Sequence, residues 1–245
     1  MPEWLVTFRA GLAALRLTLN AEQEALFTHF LALLLERNTQ VNLTAITEPH
    51  EVAIKHFVDS LTVEQLWRPQ PGDRILDIGT GAGLPGIPLA IRHPEITVVL
   101  NDSVRKKVDF LQDVATALPL PNVTPVWARA EELGRQPLYR AYFNTVFVRA
   151  VAHVAVLAEY ALPLLKNGGS LIALKGPGGT EEVAASTKAL ELLGGVVSDV
   201  AAFTLPGAGE RVLIQIRKTR PTPSEYPRPA GVAKKRPLWD SGDAG

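Results

Sequence analysis

The chain has 245 residues, 47% of them hydrophobic, with 25 Lys/Arg, 25 Asp/Glu and no cysteine. That is the composition of a folded α/β domain with an appendage and not of a disordered chain. The missing thiols exclude disulfides, thiolate metal sites and cysteine nucleophiles. Zero net charge excludes a uniformly basic coat. Residues 217–245 nevertheless carry seven basic and three acidic side chains against 18 and 22 in the other 216, so a basic tail that suits an anionic partner follows a mildly acidic body.

The first seventy residues read as helical. Asn20 can cap a helix, with Gln23 at the capping-box position and Leu26, Phe30, Leu33 and Leu34 recurring at helical spacing. The segment 41–46 interrupts that pattern and 50–66 resumes it, until Pro69 and Pro71-Gly72-Asp73 make a turn. Short apolar strands then alternate with helices. Strands are expected at 74–78, 96–100, 123–127, 145–148 and 171–175. Helices are expected at 87–92, at 104–117 with Val108, Leu111 and Val114 inward, and at 153–165, stopped by Gly168-Gly169. Thr180 is expected to cap a helix running to Leu193. The last two strands, 196–203 and 211–217, have no helix between them and should pair antiparallel. The fold class is therefore α/β: a mostly parallel seven-stranded sheet with a C-terminal antiparallel hairpin and an N-terminal helical extension. Three parts are expected: an extension (1–70), a core (71–218) and a Pro-rich basic tail (219–245) holding no core residue. No run reaches ~18 apolar residues and no signal pattern opens the chain, so a cytoplasmic protein without a membrane partner is expected.

The most informative stretch is Asp77-Ile78-Gly79-Thr80-Gly81-Ala82-Gly83-Leu84-Pro85-Gly86. Glycines at alternate positions after a buried strand let a ligand approach the backbone. Gly81–Gly86 matches the dinucleotide pattern GxGxxG, but in late register, because the first glycine after the strand is Gly79. The alternative is D-x-G-x-G-x-G. The carboxylate of Asp77 would repel a pyrophosphate and suits S-adenosyl-L-methionine, which carries an ammonium and a sulfonium. Asp102, ending the second strand, can accept from ribose hydroxyls of either ligand. Glu131, after the third, can accept from an adenine amino group. The three acids together favour S-adenosylmethionine over NAD.

Among methyl acceptors, pyrimidine C5 generally needs a cysteine. Exocyclic amines often need an Asn/Asp-Pro-Pro-aromatic motif, where this chain has Val148-Arg149-Ala150. Acceptors that are already nucleophilic remain, such as a purine ring nitrogen, for which alignment and electrostatics suffice.

The glycine stretch, continued by Ile87-Pro88-Leu89, resembles the motif of the glucose-inhibited division protein B family, also called ribosomal small-subunit methyltransferase G. The likeness extends to Asn42–Ile46, His56–Ser60, Asp102-Ser103 with Lys106-Lys107, Arg129–Glu132, Val148–Ala150, Leu174–Gly176, Glu210-Arg211 and the tail from Tyr226 to Leu238. The resemblance implies a class I, Rossmann-like methyltransferase that uses S-adenosylmethionine to methylate N7 of one guanine in 16S ribosomal RNA. It implies cofactor contacts at Gly79, Leu84, Ala130, Glu131 and Arg149, with Asp102 at the ribose. Asp77, Gly81, Gly83 and Ser103 complete the expected cofactor set. Arg149, Lys175, Arg129 and Arg211, on the carboxyl rim of the sheet, are the candidates for holding the guanine and its phosphates. His56 reads as a packed, hydrogen-bonded histidine, and Asn42 as a loop cap or pocket support. The expected partner is 16S ribosomal RNA or the small ribosomal subunit, bound by a monomer. A NAD-type oxidoreductase and a non-catalytic RNA-binding protein are the alternatives.

Overall fold

The computed structural model describes residues 1–149 and 152–238. Ala150, within the Val-Arg-Ala motif, and residues 239–245 of the tail lie outside the described residues. Two helices open the chain, α1 (Glu3–Ala14) and α2 (Ala21–Asn38). Asn20 caps α2 through the expected reciprocal box: Gln23 N donates to Asn20 Oδ1 at 2.8 Å and Asn20 N to Gln23 Oε1 at 3.0 Å. Residues 49–65 form one continuous helical stretch: α3 (Pro49–Val52), a π-helical turn (Ala53–Val58), α4 (Asp59–Leu61) and a 3-10 turn (Thr62–Gln65).

Five parallel strands follow: β1 (Arg74–Ile78), β2 (Thr97–Asp102), β3 (Val123–Trp127), β4 (Phe143–Arg149) and β5 (Leu165–Lys175). The intervening helices are α5 (Gly86–Arg92), α6 (Arg105–Ala117), α7 (Ala130–Leu133) and α8 (Val154–Ala161). Then come α9 (Gly179–Ala185), α10 (Thr187–Leu193), the antiparallel pair β6 (Gly195–Leu205) and β7 (Gly209–Lys218), and a last turn α11 (Val232–Lys235). The strand order is β3-β2-β1-β4-β5-β7-β6. The crossovers reverse direction between β1 and β4, and in such sheets ligands bind outside the carboxyl ends of the strands at that reversal.

Alternation along the strands feeds two apolar layers. Ile75, Val98, Leu100 and Phe147 face one core, shared with α1, α2, the 49–65 stretch, α5 and α6. Leu76, Val99, Val146 and Val148 face the other, covered by α8 and α10. The extension is thus fused to the sheet through a common core. At its centre Phe57 meets Phe8, Phe27 and Phe30 at ring separations of 5.2–5.7 Å.

Three expectations are corrected. The helix expected over 153–165 ends at Ala161, because β5 starts at Leu165 and takes Gly168-Gly169 into its early part. Thr180 does not cap a helix to Leu193. Gly178, in the left-handed conformation, precedes α9, and the helix breaks at Ser186, whose hydroxyl bonds back to Glu182 O at 2.6 Å. The tail does hold core residues: Ala233 is fully buried, and Thr222 is buried with its hydroxyl on Leu193 O at 2.8 Å. The segment is tied down by arginines on backbone carbonyls. Arg140 donates to the carbonyls of Thr222, Pro223 and Tyr226, and Arg135 to that of Pro227. Such bonds leave no hydrophobic periodicity to read.

Candidate active site

The loop after β1 folds around two carboxylates. Asp77 is fully buried; its Oδ2 accepts from Thr80 Oγ1 at 2.6 Å and Gly86 N at 2.8 Å. Its Oδ1 is buried with no hydrogen-bond partner among the described residues. Burial, opposed by those two bonds and by the charge of Arg149, pushes the Asp77 carboxyl up to about 7. Asp102 clamps the loop from β2: Oδ2 accepts from Gly81 N at 3.0 Å and Oδ1 from Val104 N at 2.8 Å. Gly79 takes φ +65°, and a Cβ there would meet nothing within 4 Å among the described residues, so the backbone faces open space. Gly83 differs: a Cβ would strike Ile87 and Leu111, so the close packing of α5 and α6 requires a glycine there.

Gly79 divides two openings. The first, a cavity of about 180 Å³, lies over the carboxyl ends of β1, β2 and β3; Ser103, Arg129, Ala130, Glu131 and Tyr160 line it beside Gly79. Glu131 is buried and is hydrogen-bonded by Tyr160, whose hydroxyl is pushed up to about 12 by its own burial and then by the Glu131 charge. The second, a cleft of about 110 Å³, lies between the helical extension and the loop, lined by Leu43, Thr44, His56, Gly81, Leu84 and Arg149.

His56 is neutral in that cleft. Burial, with the nearby Arg149 charge, lowers it to about 4. Its Nδ1 lies 3.0 Å from Lys55 O, a carbonyl that can only accept, so Nδ1 carries the proton. Nε2 then accepts from Thr44 Oγ1 at 2.7 Å, and Thr44 Oγ1 accepts from Ile46 N at 3.0 Å. The expected packed histidine is what the geometry gives. The loop itself is capped by Asn38 and not by Asn42, for Asn38 Oδ1 accepts from Leu43 N and Thr44 N at 2.8 and 3.0 Å.

Arg149, at the end of β4, lies with Nη1 3.6 Å from Asp59 Oδ2. Arg211 reaches the same carboxylate from β7, Nε to Oδ1, at 2.6 Å. The two rim arginines thus converge on one buried acid from the extension. Arg129 stands at the mouth of the first cavity. Lys175 is not on an open rim. It pairs with Glu182 at 2.9 Å and donates to Ala152 O at 2.9 Å. Asp59 and Tyr160 are the site residues that sequence reasoning missed. For Asp59 a signal existed: a carboxylate between Val58 and Leu61 on an apolar helical run requires a partner.

The site fits a cofactor with a cationic end. The unpartnered Asp77 Oδ1 is an acceptor in waiting, and the open face of Gly79 gives backbone access. Among the described residues there is no cluster of ligating side chains for a metal ion. The family model for rRNA small subunit methyltransferase G matches residues 23–213. The chain belongs to this family. It is 48% identical over 225 residues to a ribosomal RNA small subunit methyltransferase G of Desulfitobacterium hafniense, covering 91% of this chain and 93% of that one. It is 46% identical over 220 residues to the Deinococcus radiodurans protein of the same name, covering 89% and 87%. Among solved structures, a SAM dependent methyltransferase from Aquifex aeolicus shares the fold with a TM-score of 0.53 and 19% identity, covering 71% of this chain and 96% of that one.

Proposed function

We propose that the protein transfers a methyl group from S-adenosylmethionine to N7 of a guanine in 16S ribosomal RNA. Family membership supports the enzyme class and the ribosomal RNA substrate. The observation that carries the cofactor reading is the buried, unpartnered Asp77 Oδ1 beside the open face of Gly79. When bound, the cofactor supplies an electrophilic methyl group on a sulfonium. Asp77 would receive the ammonium of the methionine end. The cavity lined by Ser103, Ala130 and Glu131 would receive the nucleoside.

The acceptor reading rests on what the second cleft lacks. Among the described residues, its titratable side chains are His56 and Arg149. His56 has both ring nitrogens engaged, and Arg149 is a cation paired with Asp59. Neither can take a proton from an acceptor. Guanine N7 needs none, because its lone pair is free at neutral pH and N7 loses no proton as the N–C bond forms. Arg149 would orient the base and stabilise the arrangement in which nitrogen, carbon and sulfur are in line. The helical extension and the rim arginines Arg129, Arg149 and Arg211 would bind RNA while the carboxyl end of the sheet holds the cofactor, in a cytoplasmic monomer. No helix among the described residues is long and apolar enough to cross a membrane.

Calorimetry tests the cofactor, and label transfer to unmodified small-subunit RNA tests the activity. The reading requires binding of S-adenosylmethionine without comparable binding of NAD, and label in RNA. Tight NAD binding without S-adenosylmethionine binding would return the protein to the oxidoreductases.

A further inference from the structure

The C-terminal segment closes one side of the nucleoside cavity. Gly231 and Lys234 line it together with Ser103 and Ala130. Gly231 N donates to Glu131 Oε1 at 2.8 Å, so a residue 100 positions away occupies one oxygen of the pocket's buried acid. The segment is not lying there by chance of a loose end. Arg228 grips Glu159, a carboxylate only 1% exposed, with Nη2 to Oε2 at 2.6 Å and Nε to Oε1 at 2.9 Å. The backbone N of Arg228 adds a bond to Oε1 at 2.9 Å. Two residues past Gly231, Ala233 is fully buried against the α8 side of the core. These fixed points on either side of Gly231 determine where Lys234 stands. Lys234 itself is exposed, with no carboxylate partner among the described residues. Its ammonium is therefore a donor available to a cavity whose acid, Glu131, is already hydrogen-bonded by Tyr160 and by Gly231 N, and it joins Ser103 and Arg129 in the lining.

We propose that residues 226–236 form a wall of the cofactor pocket and that Lys234 is a cofactor-binding residue at the nucleoside end. This rests on the S-adenosylmethionine reading. A purine presents ring-nitrogen acceptors and a ribose presents hydroxyl oxygens, and an ammonium donates to either. Lys234 then contributes to affinity for the nucleoside and is indifferent to the methyl group. The basic tail, whose charge suggests a phosphate contact, serves the cofactor with this one residue.

The test compares wild type with Lys234→Ala and Lys234→Glu, an exposed position where the fold should tolerate both. Calorimetry with S-adenosylmethionine, S-adenosylhomocysteine and adenosine reads the cofactor. A gel-shift titration reads small-subunit RNA at fixed salt. Lys234→Ala should weaken all three small ligands by about three- to tenfold, a typical loss for one hydrogen bond, and Lys234→Glu should weaken them further. RNA affinity should stay within about twofold, less than even a modest contact is worth. Unchanged nucleoside affinity in Lys234→Glu overturns the proposal; if RNA affinity falls instead, the lysine belongs to the RNA contact. Wild type that binds none of the three ligands would overturn the cofactor reading itself, a result distinct from a lysine without effect.

Discussion

Asp59, on the helical extension, and Arg211, on β7, form an ion pair of 2.6 Å that joins residues 152 positions apart at the rim of the sheet. Asp59 is buried, and its second oxygen faces Arg149 at 3.6 Å. Arg211 is further fixed by donating from Nη1 to Ala208 O at 2.7 Å and Glu210 O at 2.9 Å. One carboxylate thus sets the positions of two rim cations, of which Arg149 lines the cleft, and the extension shapes the site as well as covering the sheet.

Asp59→Ala should leave two partly buried guanidinium groups facing each other. The expected loss of stability is about 3 kcal/mol, the scale of breaking a buried pair by removing one partner, reduced somewhat because both arginines are about a fifth exposed. Urea denaturation measures it. The methylation rate should fall as well, because Arg149 loses its support. A variant of wild-type stability would show that the pair is decorative.

If Asp77 receives the ammonium as proposed, cofactor affinity should depend on pH. Its carboxyl is raised to about 7 by burial, so the empty protein holds a proton there that an unfolded chain has released. Between roughly pH 4 and 7 the folded state therefore binds more protons than the unfolded one, and this group's contribution to stability falls as pH rises through that window. Pairing with an ammonium lowers the carboxyl again, so binding releases the proton. Affinity for S-adenosylhomocysteine should rise from pH 6 to 7, by up to about tenfold per unit, and level off above 7. Asp77→Asn should abolish that slope and weaken binding at pH 8 by about 10- to 100-fold. Calorimetry across this range that shows no slope in wild type would contradict the assignment of Asp77 to the ammonium.

Arg149 should act on the rate of transfer. Arg149→Ala is expected to lower single-turnover methylation by about 10- to 1000-fold, the range for lost alignment and electrostatic stabilisation. Arg149→Lys should rescue poorly, since a point-charge ammonium cannot present a planar, multiply donating guanidinium to the base while holding Asp59. In wild type at saturating cofactor and RNA, the rate should be nearly flat over roughly pH 6.5–8.5, because His56, lowered to about 4, is neutral throughout and N7 needs no base. A tenfold fall per pH unit on the acid side would reveal a required base.

Arg228→Ala should show that the tail is part of the folded body. It strands the Glu159 carboxylate, 1% exposed, with no cation, at an expected cost of about 3 kcal/mol. A thermal melt compared with wild type measures this. An unchanged melting temperature would mean that the segment after β7 adds nothing to stability.

The parts of this molecule legible in the sequence are those set by neighbours along the chain. The Asn20–Gln23 box, β1 at Arg74–Ile78 and β3 at Val123–Trp127 follow from local chemistry and apolar alternation, and the structure has them with the same limits. The glycine loop was legible because backbone turns leave a residue-type signature. The tail was not, because it is held by Arg135 and Arg140 on bare carbonyls, acceptors that every residue carries. Asp59 was visible as an acid out of place, but its partners lie on β4 and β7, and pairing across 90 to 152 residues is decided only when the sheet assembles. Lys175 was placed on the right strand end; the Glu182 that takes it inward comes from the next helix.

The most direct test of the central claim is the identity of the methylated atom. The protein is incubated with methyl-labelled S-adenosylmethionine and small-subunit RNA lacking the modification, the RNA is digested to nucleosides, and the labelled product is identified by chromatography and mass spectrometry. Label confined to 7-methylguanosine, at one nucleotide of the 16S RNA, is the predicted result. Label in any other nucleoside, or cofactor binding with no transfer to RNA, would contradict it.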